Sequence, residues 1–267
     1  MTEIRERRGV FGEAVDAYEA ARPGYPDQLV TDVIEFARLD GAPVLEVGAG
    51  TGKASVAFAR RGLALTCVEA DARMAAVLAR TCEGYPNTSI VVSGFEQWRP
   101  PADRFGLLFS AQAWHWIDPA SRWSLAFEAL RPGAAIALFW NRFSVADPAQ
   151  HAALTDVHAR HGAADLAPAT LGEPASPDDD PSAHWPEPDV SADGRFQDFE
   201  TRTYSTAHTF TGARYADLLA SISAYRLLPE AQRTPLLTDI AHTVDALPTP
   251  FTLTTHPLLH LARTRTP

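Results

Sequence analysis

Glu46-Val47-Gly48-Ala49-Gly50-Thr51-Gly52 sets three glycines at alternate positions behind an acid, where an apolar run, Val44–Gly48, gives way to a helical one, Thr51–Arg61. Glycine at such a junction lets the backbone come close to a ligand, and the first N–H groups of the helix that follows have no partner within it. Two nucleotide fingerprints fail on particular residues. G-x-G-x-x-G needs glycine where Lys53 stands, and G-x-x-x-x-G-K-[ST] needs glycine at Val47 and a hydroxyl at Ala54. A second group of reactive types is Ser110-Ala111-Gln112-Ala113-Trp114-His115-Trp116. His115 titrates near neutrality and could take a proton from an attacking hydroxyl, amine or carbon acid, while Trp114 and Trp116 could wall a dry site; such aromatic clusters also simply pack strand against helix. His151, His158 and His161 fall on one helical face but lack a carboxylate or cysteine as a further ligand, so a solvated or lid-facing stripe is expected there and no metal. Asp178-Asp179-Asp180 lacks the alternating ligands of a calcium loop and reads as solvated.

Positioning these residues is the task of the surrounding elements. Apolar runs at Val44–Gly48, Leu63–Glu69, Ser89–Ser93, Phe105–Ser110 and Ala134–Trp140 alternate with helical patterns at Thr51–Arg61, Ala72–Cys82 and Pro119–Leu130. Strands apolar throughout, joined by crossover helices, predict an α/β parallel sheet covered on both faces, with its ligand crevice beyond the strands' carboxyl ends. A helical lead-in precedes them, with Val30, Val33, Ile34 and Ala37 on one face after the turn at Arg22-Pro23-Gly24-Tyr25-Pro26. Behind them come a helical Pro148–Gly162, a proline-rich loop at Ala163–Asp193, a strand at Phe199–Ser205, helical stretches at Gly212–Ala224 and Pro229–Ala246, and a last β-rich run at Phe251–Leu261.

With 267 residues, 46% of them hydrophobic and 21% charged, the chain can bury a full core, which excludes a short peptide, a fibre and a disordered tail. A formal net charge of -10 repels a phosphate backbone, so no nucleic-acid partner is expected. Cys67 and Cys82 have no CxxC partner, which fits a reduced, cytoplasmic setting. No stretch approaches the ~18 apolar residues of a membrane span and no export signal stands at the amino terminus, so no membrane partner is expected either.

The E-x-G-x-G-x-G loop resembles that of the class I S-adenosylmethionine-dependent methyltransferases, and Glu69 lies about 20 residues past it, the spacing of an acid that accepts ribose hydroxyls. Tyr18 with Arg22-Pro23, and Trp114-His115-Trp116-Ile117-Asp118 after the fourth strand, are similar to the trans-aconitate methyltransferase-like branch. The resemblance implies a Rossmann-like, seven-stranded, mostly parallel sheet with a helical cap. Residues 1–40 would form a cap or lid, 41–145 the cofactor core, and 146–267 the substrate-cap helices, the proline-rich loop and the last two strands.

The implied activity is methyl transfer from S-adenosylmethionine to a small-molecule acceptor, a carboxylate or an aromatic or heteroaromatic metabolite. The alternative kept beside it is a cofactor-binding protein that does not methylate: a sensor, a partner, or an isomerase or cyclase using the cofactor as scaffold. The implied cofactor contacts are Tyr18, Arg22, Glu46, Gly48, Ala49, Gly50, Glu69, Ala70, Met74, Gly94, Phe95, Glu96, Ser110 and Ala111. Gly94 stands where many members carry an aspartate for the adenine amino group, so the Phe95 backbone and Glu96 are the expected substitutes. His115 and Tyr18 are the catalytic candidates. Trp114, His115, Trp116, Asn141, Tyr225 and Arg226 are the acceptor-site candidates, with Tyr18, Trp114, His115 and Tyr225 expected around one cavity.

Overall fold

The apolar stretches at Val44–Val47, Leu65–Glu69 and Phe105–Ala111 become largely buried strands in the computed structural model, which describes residues 22–102, 104–172 and 186–266. In chain order the elements are α1 (Asp27–Ala37), β1 (Val44–Val47), α2 (Lys53–Ala59), β2 (Leu65–Glu69), α3 (Ala72–Thr81), β3 (Thr88–Val92), β4 (Phe105–Ala111), α4 (Arg122–Ala129), β5 (Leu130–Ser144), α5 (Pro148–Arg160), α6 (Ala167–Leu171), α7 (Glu187–Asp193), β6 (Phe196–Thr203), β7 (Thr206–Phe210), α8 (Gly212–Ala220), α9 (Ser223–Arg226), α10 (Glu230–Asp245) and β8 (Phe251–Thr264). Short 3-10 turns occupy Trp114–Trp116 and Ala164–Leu166. Two compact units divide the chain. Among the described residues a sheet unit holds 24–102, 104–140, 186–203 and 258–266, and a helical unit holds 22–23, 141–172 and 204–257.

In the sheet unit the strand order is β3-β2-β1-β4-β5-β8-β6. β1 pairs in parallel with β2 and β4, β2 with β3, and β4 with β5, whereas β6 runs antiparallel to β8. Every residue of β1 is buried, as are Phe105 to Ser110 of β4, the burial expected of central parallel strands. Phe58 of α2 stacks on Phe109 of β4 with ring centroids 4.0 Å apart. A separate cluster gathers Leu45, Val47, Leu108, Trp114, Trp123, Ile136 and Phe196. The order reverses at β1/β4, so the turns after these two strands lie where an open α/β sheet holds its ligand. α1 starts behind Pro26, buries Leu29, Val30, Val33 and Phe36, and ends at Arg38 in a left-handed conformation.

In the helical unit, β7 pairs antiparallel with the first part of β8, Thr206 opposite Thr255 and Phe210 opposite Phe251. Leu154, Val157, Tyr215, Leu218, Tyr225, Leu236 and Ile240 form the core of this unit. Asp147 caps α5 by accepting the N–H groups of Ala149 and Gln150, ahead of a proline in the first turn.

The structure corrects the sequence reading at several points. The sheet path has seven strands, as expected, and a further strand, β7, pairs with β8 off that path. The Gly212–Ala224 stretch is two helices broken at Ser221–Ile222. Ala163–Asp193, expected as a loop, carries α6 and α7 at its ends, while residues 173–185, including the acidic run, lie outside the described residues. The three histidines are not a solvated stripe, since each has a partner within the helical unit. His158 is fully buried against Tyr225, His151 Nε2 meets the Gly172 carbonyl at 3.0 Å, and His161 Nε2 meets Asp239 at 2.8 Å. Among the described residues no group of three metal-ligating side chains converges.

Candidate functional site

Gly48 takes φ +72° at the end of β1, a conformation that favours glycine, and a Cβ there would overlap the Ala113 methyl. The glycine therefore lets the segment after β4 lie against the loop after β1. Ser110 Oγ strengthens the same junction by donating to the Val47 carbonyl at 2.7 Å. Gly50 takes φ +59° and has the Met74 methyl beside it, 3.7 Å from where a Cβ would stand.

Glu69, at the end of β2, turns its carboxylate back to this loop. Oε2 accepts the Gly50 N–H at 2.8 Å and Oε1 accepts the Asp71 N–H at 2.8 Å. Asp71 in turn caps α3, receiving the N–H groups of Arg73 and Met74. The carboxylate is 8% exposed, and burial raises its pKa against the lowering effect of these donors. A carboxylate has about four acceptor positions, so two N–H bonds leave capacity for two further donors.

Glu46 sits beneath the loop, 1% exposed. Ser55 Oγ donates to its Oε2 at 2.5 Å and the Cys67 thiol lies 3.4 Å from the same oxygen, while Oε1 is buried without a partner. Burial, with the nearby Glu69 charge adding to it, pushes Glu46 up to about 8. Burial also raises the Cys67 thiol far above its ordinary range, so it is a packing group and not a nucleophile. An acid held under a positive-φ glycine loop, a second acid aimed at that loop, and one orphaned buried oxygen fit a ligand that carries cationic and hydroxyl donors.

The other expected cofactor residues divide by burial. Ala49 and Met74 are buried, Gly94 and Ala111 are half-buried, and Ala70 is exposed. Phe95 is 4% exposed, with its ring 6.0 Å from both Trp98 and Trp114. Its side chain is therefore core. Glu96 Oε1 accepts the Asp118 N–H at 3.2 Å, which ties the turn after β3 to the segment after β4.

Within Trp114-His115-Trp116 the roles separate. Trp114 is fully buried, 5.3 Å from Trp123, in a packing role that differs from the acceptor wall expected of it. His115 is exposed, stands 4.6 Å from the half-buried Trp116, and receives the Trp140 indole N–H on Nδ1 at 3.2 Å. The apolar neighbours on one side of the ring, with the Arg122 charge adding to them, lower its pKa from the ordinary imidazole value.

In the helical unit Arg22 donates from Nε to Ser221 Oγ at 3.1 Å and from Nη2 to the Ser221 carbonyl at 3.0 Å. Tyr225 is fully buried, its hydroxyl 2.7 Å from His158 Nε2 and 3.0 Å from Thr170 Oγ1. It thus serves the core of that unit, in place of the acceptor contact expected. Asn141 is half-buried with Oδ1 unpartnered, and Arg226 is half-buried at the end of α9. Tyr18 lies outside the described residues. The sequence reading missed Ser55, Asp71 and Ala113 as site-builders; of these only Asp71, a cap residue ahead of a helical run, carries a local signal.

A methyltransferase-domain family model matches residues 44–133, the segment that holds β1 to β4 and both acids. An uncharacterised methyltransferase of Mycobacterium tuberculosis is 35% identical over 131 residues, 49% of this chain and 51% of that protein. The chain thus spans about half the length of the curated relatives it matches. A structure from Anaeromyxobacter dehalogenans, named as a candidate type II methyltransferase, superposes with a TM-score of 0.64 at 22% identity, covering 92% of this chain and 99% of that one. The Haemonchus contortus phosphoethanolamine N-methyltransferase 2, solved with S-adenosyl-L-methionine, gives a TM-score of 0.52 at 15% identity over 96% of this chain and 57% of that one. The glycine loop and its two acids lie inside the segment, residues 44–133, that matches a methyltransferase domain, and the fold is that of solved methyltransferase structures.

Proposed function

We propose that this chain transfers the sulfonium methyl group of S-adenosylmethionine to a small-molecule acceptor, a carboxylate or an aromatic metabolite. The observation that carries the reading is the Glu69 carboxylate, braced by the Gly50 and Asp71 N–H groups at the mouth of the glycine loop. When bound, the cofactor supplies an electrophilic methyl on a cationic sulfur. Glu69 has acceptor positions left for the ribose hydroxyls, and Glu46 is the candidate for the cationic amino-acid end, whose charge would draw this protonated acid into its ionised form. Gly48 and Gly50 keep side chains off the loop, and Met74 presents an apolar surface beside Gly50 for the adenine. Phe95 N–H and Glu96 remain the candidates for the adenine edge.

Holding a nucleophile about 3–3.5 Å from the methyl, in line, supplies most of the rate for such a transfer, so the chain needs no covalent step of its own. His115 and Trp116, in the short turn after β4, are the acceptor candidates of the sheet unit. The net charge of -10 argues against a nucleic-acid acceptor. We place the reaction in the cytoplasm, which suits the free, buried Cys67 and Cys82; no described helix is long and apolar enough to cross a membrane.

The test incubates the chain with methyl-labelled S-adenosylmethionine and, separately, the metabolite, protein and nucleic-acid fractions of a cell extract. Label moving into the metabolite fraction, with S-adenosylhomocysteine released, is expected. Label in protein or nucleic acid, or S-adenosylhomocysteine from none of the three, contradicts the reading.

A further inference from the structure

Glu69 and Val92 are register partners where β2 pairs in parallel with β3, so their side chains leave the same face of the sheet about one strand spacing, ~4.8 Å, apart. Glu69 turns its carboxylate toward β1, to the Gly50 N–H. Val92 stands on its other side, because β3 lies beyond β2 at the sheet edge, and it is 56% exposed. A ligand whose hydroxyls meet Glu69 therefore runs one way onto the glycine loop and the other way over Val92. The turn after β3 borders this second side, since the Ser93 N–H donates to the Glu69 carbonyl at 2.9 Å. Gly94 in that turn does not take a positive φ, so the backbone does not demand a glycine there. Space does: a Cβ at Gly94 would overlap Gln97 Oε1. Gln97 reaches back because the Gln97 and Trp98 N–H groups both donate to the Gly94 carbonyl, at 3.1 and 3.0 Å, and in such a helical turn a side chain leans over the residue three before it. The Gln97 side chain is exposed, and its amide makes no hydrogen bond among the described residues. The neighbouring Glu96 is tied instead to the segment after β4, its Oε1 taking the Asp118 N–H.

We propose that Val92 and Gln97 form the nucleobase end of the cofactor site: the flat ring lies on the Val92 side chain, and the Gln97 amide, reaching across Gly94, reads the ring's edge. An amide carries an acceptor and a donor side by side in one plane. That is the complement of an amino group next to a ring nitrogen, so Oε1 accepts from the adenine amino group and Nε2 donates to the nitrogen beside it. A carboxylate in the same place would only accept. A single exposed apolar side chain is ordinary on a protein surface, and Val92 gains its meaning from its register with Glu69. Glycine at position 94 is thus the opening through which the side chain three residues later does the reading. The inference rests on the proposed S-adenosylmethionine site for its ligand, and it adds two contacts that decide which base that site accepts.

The experiment is calorimetric titration of the full chain with S-adenosylhomocysteine and with its analogue carrying purine in place of adenine, for wild type, Gln97→Ala and Val92→Ser. Wild type is expected to bind S-adenosylhomocysteine ~5-fold or more tightly than the analogue that lacks the amino group. Gln97→Ala should weaken S-adenosylhomocysteine by about that factor, leave the analogue within ~2-fold, and so lose the preference. Val92→Ser should weaken both ligands by ~3-fold or more and keep the preference, because apolar contact with the ring face does not depend on the amino group. Equal binding of the two ligands by wild type overturns the reading of the amino group, and that comparison needs no variant to fold. A preference unchanged in Gln97→Ala overturns the role of Gln97, and affinities unchanged in Val92→Ser overturn the role of Val92. Wild type that binds S-adenosylhomocysteine and gives any of these contrary results removes this inference and keeps the cofactor reading. No binding by wild type removes both.

Discussion

The Gly50 backbone N–H and the Glu69 Oε2 meet at 2.8 Å, so the loop after β1 is fastened to the carboxylate at the end of β2. The acid shapes the loop as well as facing its ligand. Because the Asp71 N–H holds the other oxygen, the carboxylate is fixed in rotation too. In Glu69→Ala the Gly50 amide loses its acceptor and should exchange with solvent at least ~10-fold faster, while amides of the β4 core keep their protection. Native-state hydrogen exchange reads this directly, and unchanged protection at Gly50 would mean that the bond does not hold the loop.

Gly48→Ala should destabilise the fold more than an alanine at another positive-φ glycine. Gly48 and Gly62 have nearly equal φ, +72° and +74°, but a Cβ at Gly62 meets nothing within 4 Å whereas one at Gly48 overlaps Ala113. Both variants incur the left-handed conformational cost of about 1–2 kcal/mol, and Gly48→Ala should lose a further ~1–3 kcal/mol to overpacking. Urea denaturation of the two variants isolates that difference. Equal losses would show that Ala113 yields freely.

Glu46 sets a pH dependence with a definite sign. Burial moves it from the ordinary 4.5 up to about 8, so between these values the folded chain keeps a proton that the unfolded chain releases. Its contribution to stability is therefore greatest at the acid end and declines as pH rises across the window, by up to ~1.4 kcal/mol per pH unit. Glu46→Gln cannot ionise, so the difference in unfolding free energy between variant and wild type should grow from about pH 5 to pH 8. Parallel profiles would contradict the assignment.

Tyr225→Phe should cost about 1–3 kcal/mol, because it leaves the buried His158 Nε2 without its hydroxyl partner and also removes the contact with Thr170 Oγ1. Thermal or chemical unfolding measures the loss, and a stability equal to wild type would show that the buried bond contributes nothing net.

Much of this arrangement is legible in the sequence where local pattern and fold agree. The strands β1 to β5 announce themselves as apolar runs, and Gly48, Gly50 and Glu69 by type and spacing, because a glycine turn and a strand-end acid are local requirements. β7 is not legible. It is short, follows β6 with almost no turn, and its Thr206–Phe210 alternation buries only Phe210 fully. Long-range partners are equally silent. The spacing of His151, His158 and His161 cannot foretell Gly172, Tyr225 and Asp239, each brought up by a different element. Nor does Trp114-His115-Trp116 reveal which tryptophan enters the core, since a 3-10 turn has neither the strand nor the helix period.

Calorimetric titration with S-adenosylhomocysteine is the most direct measure of whether the Glu69-braced loop is the cofactor site. Wild type is expected to bind it and to ignore NADH, and Glu69→Ala to bind at least ~10-fold more weakly, as the loss of charge-assisted hydrogen bonds requires. No binding by wild type, binding of NADH in its place, or an affinity unchanged by Glu69→Ala would contradict the account.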